Sequence, residues 1–439
     1  MNTIYQAGYI WYQDHFVSEF GLLVEDDLIK SVDKMSILQA NYPDAALVDM
    51  RHLAIVPGTI NAHNHSFQSL LRGIATDEPF LTWRDQALYR YTPYMDEDTL
   101  YAGALLAFGE MLSQGVTTVT DFFYIHNHGT DHDEAIIQAA KDLGIRLVFA
   151  RTMYDWTGAP SSYRESIADA VDRTDRLIKK YQHHPLVRVH PAPHSPHGAS
   201  PDMIQAGHEL AKKWGTPYHI HVAEEPFEVE EIMRDYGMRP VHYLNHLGVL
   251  DESMIAIHLV WLDESEIELL GARRAALAYC PSSNMFLADG VTRIPDLMQA
   301  GVMVGLGSDG GCSNNRVSIF EEMRMAALLQ KVNRLDATCL RASDTFAMGT
   351  ANGGKLLRLP IGKLEAGYQA DFVGIRIDDL SLQPFAPDLL PYHLVYSMQP
   401  TAIERVVVHG KEVVRNGRIT TVDQELIRQL VAQSKSKWP

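Results

Sequence analysis

The chain is predicted to be an α/β protein: a parallel (β/α)8 barrel of the TIM type with a small β-sandwich domain contributed by both chain termini. Three observations predict it. Short β-branched or apolar runs alternate eight times with longer helical patterns through the middle of the chain. The histidines and acids that could carry chemistry fall at the C-terminal ends of those runs, where parallel barrels collect their reactive groups. Both termini lack this alternation and read as short strands with turns.

The first strand is expected in the apolar run that begins near Leu53 and ends at His65. The others are expected at Val116–Asp121, Ile145–Phe149, Val187–His190, Pro217–His221, Ile255–His258, Ala275–Tyr279 and Val302–Leu306. Helical periodicity lies between them, at Asp98–Ser113, Asp133–Leu143, Ser166–Lys180, Pro201–Trp214 and Ile294–Ala300. These elements place the barrel at residues 57–360. Segments such as Gly21–Asp27 and Val406–Val414 assign residues 1–56 and 361–439 to the discontinuous β domain.

Composition narrows the function class. At 439 residues and 46% hydrophobic content the chain can bury a large core. A formal charge of −17, from 38 basic and 55 acidic residues, argues against a general binder of nucleic-acid backbone. No apolar run approaches membrane-spanning length, and the N-terminus lacks the pattern of a signal peptide, so no membrane partner is expected and the expected location is cytoplasmic. Three scattered cysteines, Cys280, Cys312 and Cys339, do not make a disulfide framework and agree with a reducing compartment.

The chemistry is carried by four strand ends. Pro57-Gly-Thr-Ile-Asn-Ala-His63-Asn-His65 sets two histidines one residue apart, so that in an extended strand both face the same way and can share a metal ion. A His-x-His pair alone does not define a metal site. Here a second pair, His219-Ile-His221, is followed by Glu224, and two further strands end in His258 and in Gly307-Ser-Asp309. The competing bland readings are a satisfied core histidine at 258 and a solvated helix start at Glu224-Glu225.

These motifs together, with Cys280-Pro-Ser-Ser-Asn284, Asp309-Gly-Gly-Cys-Ser-Asn-Asn315 and Gly362-Lys-Leu-Glu-Ala-Gly-Tyr-Gln-Ala-Asp371, occur in an order that resembles the amidohydrolase superfamily. The likeness is to its cytosine deaminase-like branch, which contains triazine hydrolases, S-adenosylhomocysteine and 8-oxoguanine deaminases and formiminoglutamate deiminase. The resemblance implies one divalent metal ion held by His63, His65, His221 and Asp309, with zinc expected and ferrous iron the alternative. It implies that the metal lowers the pKa of bound water from about 16 to about 7. Asp309 would take that water's proton, Glu224 would protonate a substrate nitrogen, and His258 would stabilise the tetrahedral intermediate. His219 is expected to be structural or to support the ligands from behind.

The implied activity is hydrolysis of a non-peptide C–N bond, with deamination of a small aminated heterocycle of purine, pterin or triazine type as the leading reading. Deimination of a formimino or guanidino acid is the alternative. Adenosine-type deaminases of the branch carry an acidic residue two positions before a tryptophan, whereas Leu81 precedes Trp83 here. A second histidine expected after His258 is replaced by Trp261. The run from Gln68 through Trp83-Arg84 to Tyr124 is instead similar to formiminoglutamate deiminase, whose arginine after the histidine matching His194 is replaced by His197. Gln68, Trp83, Arg84, Tyr124, His194 and His197 are therefore expected to bind substrate, and Arg151, ending the third strand, is assigned with them against a salt-bridge alternative. The expected partner is a small molecule, with a homo-oligomer suggested by the family alone. A catalytically dead scaffold is disfavoured because every expected metal and proton-transfer position is filled.

Overall fold

A computed structural model describes residues 2–438. Eight parallel strands form two four-stranded sheets. The first sheet contains β1 (Thr59–Asn64), β2 (Val116–Phe123), β3 (Arg146–Met153) and β4 (Val187–Pro193) in sequence order. The second contains β5 (Tyr218–Val222), β6 (Met254–His258), β7 (Ala276–Tyr279) and β8 (Met303–Leu306).

Individual hydrogen bonds run between the two sheets. The backbone N–H of His221 donates to His194 O at 3.0 Å, and that of Asp309 to His63 O at 3.0 Å. Below the second contact, the Asn61 amide donates to Ser308 Oγ at 2.7 Å and accepts from Ser308 N at 3.0 Å. Apolar residues from both sheets, including Ile60, Leu147, Ile220, Ile257, Leu277 and Leu306, share one buried core. Strands buried on both faces read as nearly continuous apolar runs, which is why they are legible without alternation.

Helix starts and stops follow local chemistry. Ser200 caps Pro201–Trp214 by accepting from Met203 N, proline fits the first helical position, and Gly215 ends the helix with left-handed backbone. Ser166 caps Ile167–Tyr181 in the same manner. The short strands therefore deliver their last residues to one end of the parallel sheets while the helices return the chain outside.

The apolar run near Leu53 is not one strand. It is divided at Pro57–Gly58 between a terminal-sheet strand, Ala46–Pro57, and β1. Gly58 is required by close approach, because a Cβ there would lie 2.1 Å from Thr117 Oγ1.

Both termini contribute to a single mixed sheet of nine strands. Its halves meet where Ala46–Pro57 pairs in parallel with Asn2–Tyr12 and antiparallel with Phe372–Arg376. A further bridge joins Leu28 to Gln369, and residues from both halves, including Ile10, Leu22, Leu53, Phe372 and Val407, share a second core. Among the described residues no helix is long and apolar enough to cross a membrane.

Candidate metal centre and active site

The ends of β1, β5, β6 and β8 bring the predicted chemical residues together. Ligand atoms of His63, His65 and His221 lie within 4.8 Å of one another, and so do those of Glu224, His258 and Asp309. The two groups adjoin: Asp309 Oδ1 is 3.4 Å from Nε2 of both His63 and His65. All six residues are buried.

The donor set fits a divalent metal on its own geometry. His65 Nδ1 donates to Phe122 O and His221 Nδ1 to His194 O, so each ring presents Nε2 to the centre. Both His63 ring nitrogens are buried without a hydrogen-bond partner, a costly arrangement that a metal ligand role would relieve. Asp309 Oδ2 accepts from Ser283 Oγ at 2.6 Å and Ser313 Oγ at 2.8 Å, which leaves Oδ1 facing the imidazoles. Asp121 fixes the turn around His65 by accepting from Ser66 N, Ser66 Oγ and the Asn64 amide.

Electrostatics assign the resting charge states. Burial, reinforced by neighbouring histidines, holds His65 down to about 4 and His221 well below the usual imidazole range, so both rings are neutral at pH 7. Burial alone would raise Asp309, but His63, His65 and His258 outweigh it and keep the carboxylate ionised. Glu224 is pushed far upward, first by burial and then by Asp289, Glu228 and Asp309. Its Oε1 lies 3.2 Å from His258 Nε2, and burial holds His258 down to about 3. The backbone at His258 and Asp309 has φ of +72° and +57°, local strain of a kind that clusters at functional sites.

The family model of the Amidohydrolase family matches residues 54–413. The chain belongs to the amidohydrolase family. Among curated amidohydrolase-type relatives, a 5-methylthioadenosine/S-adenosylhomocysteine deaminase of Syntrophobacter fumaroxidans is 33% identical over 92% of this chain and 90% of its own. A 5'-deoxyadenosine deaminase of Methanothermobacter thermautotrophicus is 34% identical over 93% and 92%. A solved adenosine deaminase of Xanthomonas campestris with bound zinc superposes with a TM-score of 0.91 at 28% identity, covering 99% of this chain and 98% of its own. The zinc-complexed atrazine chlorohydrolase of Arthrobacter aurescens, at 24% identity and full coverage of both chains, has the same fold with a TM-score of 0.91.

Above the six residues, this amidohydrolase has a cleft of about 740 Å³ counted to its open mouth. Gln68, Trp83, Arg84, Tyr124, His194 and His197 line it. Gln68 donates to Tyr124 Oη at 3.3 Å, and Trp83 Nε1 donates to Cys312 O at 3.0 Å. His194 Nδ1 engages Ser195 Oγ at 2.8 Å, while the His197 ring sits beside Glu228, its Nδ1 3.5 Å from Oε1. The Arg84 guanidinium lies over the Tyr89 ring and is already paired with Asp85 at 2.8 Å.

Arg151 corrects the expectation. It is fully buried, does not line the cleft, and is bound by Asp133 at 2.7 Å and Glu165 at 2.8 Å. Its ionic partners lie 18 and 14 positions away, so its direction is set by tertiary packing. Leu81 and Trp261 are both 43% exposed and also lie outside the cleft lining, with Trp261 Nε1 bonded to Asp289 O. His219 is buried against His190, its Nε2 3.0 Å from His190 Nδ1.

Sequence reading misses the rest of the aromatic wall: Phe80, Tyr89, Tyr154, Trp156, Tyr163 and Phe227. The available signal is the aromatic run Tyr154-Asp-Trp156 directly after β3, where parallel α/β proteins place binding loops. Tyr163 belongs to the same loop and is held by a 2.7 Å hydrogen bond to Thr92 Oγ1.

Proposed function

We propose that the protein is a metal-dependent aminohydrolase that releases ammonia from a planar aminated heterocycle, with aminopurines the leading class. The observation that carries this reading is a buried Glu224, 3.2 Å from His258 Nε2, set beside a donor cluster of three histidines and an aspartate at the floor of an aromatic cleft. Deaminase relatives named for adenosine compounds support the purine class.

The metal ligands are His63, His65, His221 and Asp309, and zinc is the ion. A divalent ion held there would lower the pKa of a water at the site to about 7. Asp309 accepts the proton of the attacking water, because its ionised carboxylate faces the centre. Glu224 gives its proton to the ring nitrogen next to the aminated carbon, making that carbon the electrophile. His258 donates a hydrogen bond to the oxygen that adds to this carbon, and collapse returns a proton to the departing ammonia.

Trp83, Tyr89, Tyr124 and Tyr154 offer ring faces and edges to a planar substrate. Gln68, His194 and His197 supply polar contacts. With Leu81 outside the cleft, no carboxylate comes from the position that carries one in adenosine-type deaminases, so the base is the recognised part. Arg84 is neutralised by Asp85, which removes the main argument for an anionic formimino or guanidino acid.

The fold reading extends likewise: the two parallel sheets close into one barrel over 57–360, and the terminal sheet of 1–56 and 361–439 curls into a sandwich. The seam hydrogen bonds and the Leu28–Gln369 bridge support these finer assignments.

The test is ammonia release by zinc-loaded protein from aminopurines, 5'-deoxyadenosine, pterins, triazines and formimino acids, with Glu224→Gln as control. Release from a heterocycle that falls by about 10²–10⁴-fold in the control is expected. Release confined to formimino acids would replace the proposal with deimination.

A further inference from the structure

The sequence motif Cys280-Pro-Ser-Ser-Asn284 places a short helix, Pro281–Phe286, directly beneath the proton-transfer residues. Its Ser283 holds Asp309. Asn284 is 1% exposed and reaches His258, its Nδ2 3.1 Å from His258 Nδ1. The same nitrogen is 2.9 Å from Asp289 Oδ2. An amide nitrogen carries two hydrogens, and each here has one acceptor.

We propose that Asn284 is a positioning residue that locks His258 in the tautomer protonated on Nε2, and that Asp289 holds the Asn284 amide in the orientation required for this. The argument is one of donor and acceptor matching. If His258 carried its proton on Nδ1, two N–H donors would face each other at 3.1 Å in a buried site. Reversing the Asn284 amide would relieve that clash only by turning its oxygen toward Asp289 Oδ2. Asp289 Oδ1 is buried with no hydrogen-bond partner, so Oδ2 is the oxygen through which Asp289 holds the Asn284 amide.

The remaining freedom of His258 is removed from its other sides. Thr292 Oγ1 donates to His258 O at 2.8 Å, fixing the backbone at its left-handed φ. Nε2 then points at Glu224 Oε1, 3.2 Å away. The consequence is functional: His258 enters the reaction as a hydrogen-bond donor, with no lone pair on the reacting side to take a proton from the attacking water. Asp309 is thereby left as the base.

The inference rests on the aminohydrolase reading only for its kinetic arm. The direct test is a proton–nitrogen long-range correlation spectrum of protein labelled with 15N-histidine, with His258 assigned by its loss in His258→Gln. The wild type is expected to show a bare Nδ1 and a protonated Nε2. Asn284→Asp, which presents only acceptors, is expected to move the proton to Nδ1, and Asn284→Leu to give a mixture. Asp289→Ala, which frees the amide to reverse, is expected to give a mixture as well. With the heterocycle identified by ammonia release, Asn284→Asp is expected to lower kcat by about 10²–10⁴-fold with KM within about threefold.

A wild-type spectrum with the proton on Nδ1 overturns the proposal without any variant. An unchanged tautomer in Asn284→Asp overturns the role of Asn284 even if kcat falls. Failure of every heterocycle to react would overturn the functional reading and leave the tautomer result standing.

Discussion

Arg151→Met separates a buried structural role from the substrate contact that its strand-end position suggests. The guanidinium donates to Asp133 Oδ2, to both Glu165 oxygens, to Thr174 Oγ1 and to Gly129 O, and is fully buried. Methionine fills similar volume but leaves two carboxylates facing apolar surroundings, with only His126 beside Asp133 and Arg173 beside Glu165. Breaking a buried ion pair on one side costs about 3–5 kcal/mol. A second route gives a similar size. Burial alone would raise Glu165, but His126, Arg151 and Arg173 outweigh it and hold the group down to about 2, against 4.5 for a free glutamate. At about 1.36 kcal/mol per unit that difference is worth about 3 kcal/mol, shared among the three cations. Because the folded value is the depressed one, this stability is fully present above about pH 4.5 and is lost as pH falls toward about 2. Urea unfolding followed by tryptophan fluorescence is therefore expected to show a lower midpoint for Arg151→Met at pH 7, with the gap to wild type narrowing below about pH 4.5. KM for the identified heterocycle is expected to change little. Undiminished stability together with a KM raised about tenfold would refute the structural assignment and return Arg151 to the cleft.

Gly58→Ala is expected to destabilise by about 1–3 kcal/mol, since the new Cβ meets the buried side chain of Thr117 rather than a movable tip, and Thr117→Ala should recover part of the loss in the same urea assay. Ser283→Ala removes one of two hydroxyls that orient Asp309 Oδ2, so zinc affinity measured by competition with a chelator is expected to fall about 10–100-fold. Complete chelation is expected to abolish ammonia release and lower the unfolding midpoint, with both restored by added zinc; activity persisting in metal-free protein would contradict the assigned centre.

What is legible in the sequence follows from how local each determinant is. Pro201–Trp214 is readable to the residue because Ser200, Pro201 and Gly215 are its neighbours in sequence. The histidine pairs are readable because strand periodicity and a spacing of two decide which side chains share a face. Pairing within the terminal sheet is not, because Phe372–Arg376 meets Ala46–Pro57 across more than 300 residues of intervening chain, and neither strand carries a mark of the other.

The same distinction explains which site residues can be found. The proposed ligands lie on strand ends, where a short motif reports both chemistry and direction. The groups that hydrogen-bond these side chains come from other segments: Phe122 O for His65, His194 O for His221, Ser283 and Ser313 for Asp309, Asn284 for His258. Each is an ordinary serine, asparagine or carbonyl whose meaning exists only after folding. Arg151 shows the converse. Its position at the end of β3 promises a cleft contact, but Asp133 and Glu165, brought in from flanking segments, capture the guanidinium first. A strand-end charge is thus a site residue only when no buried counter-charge reaches it before the substrate does, and that condition is a property of the segments packed around the strand.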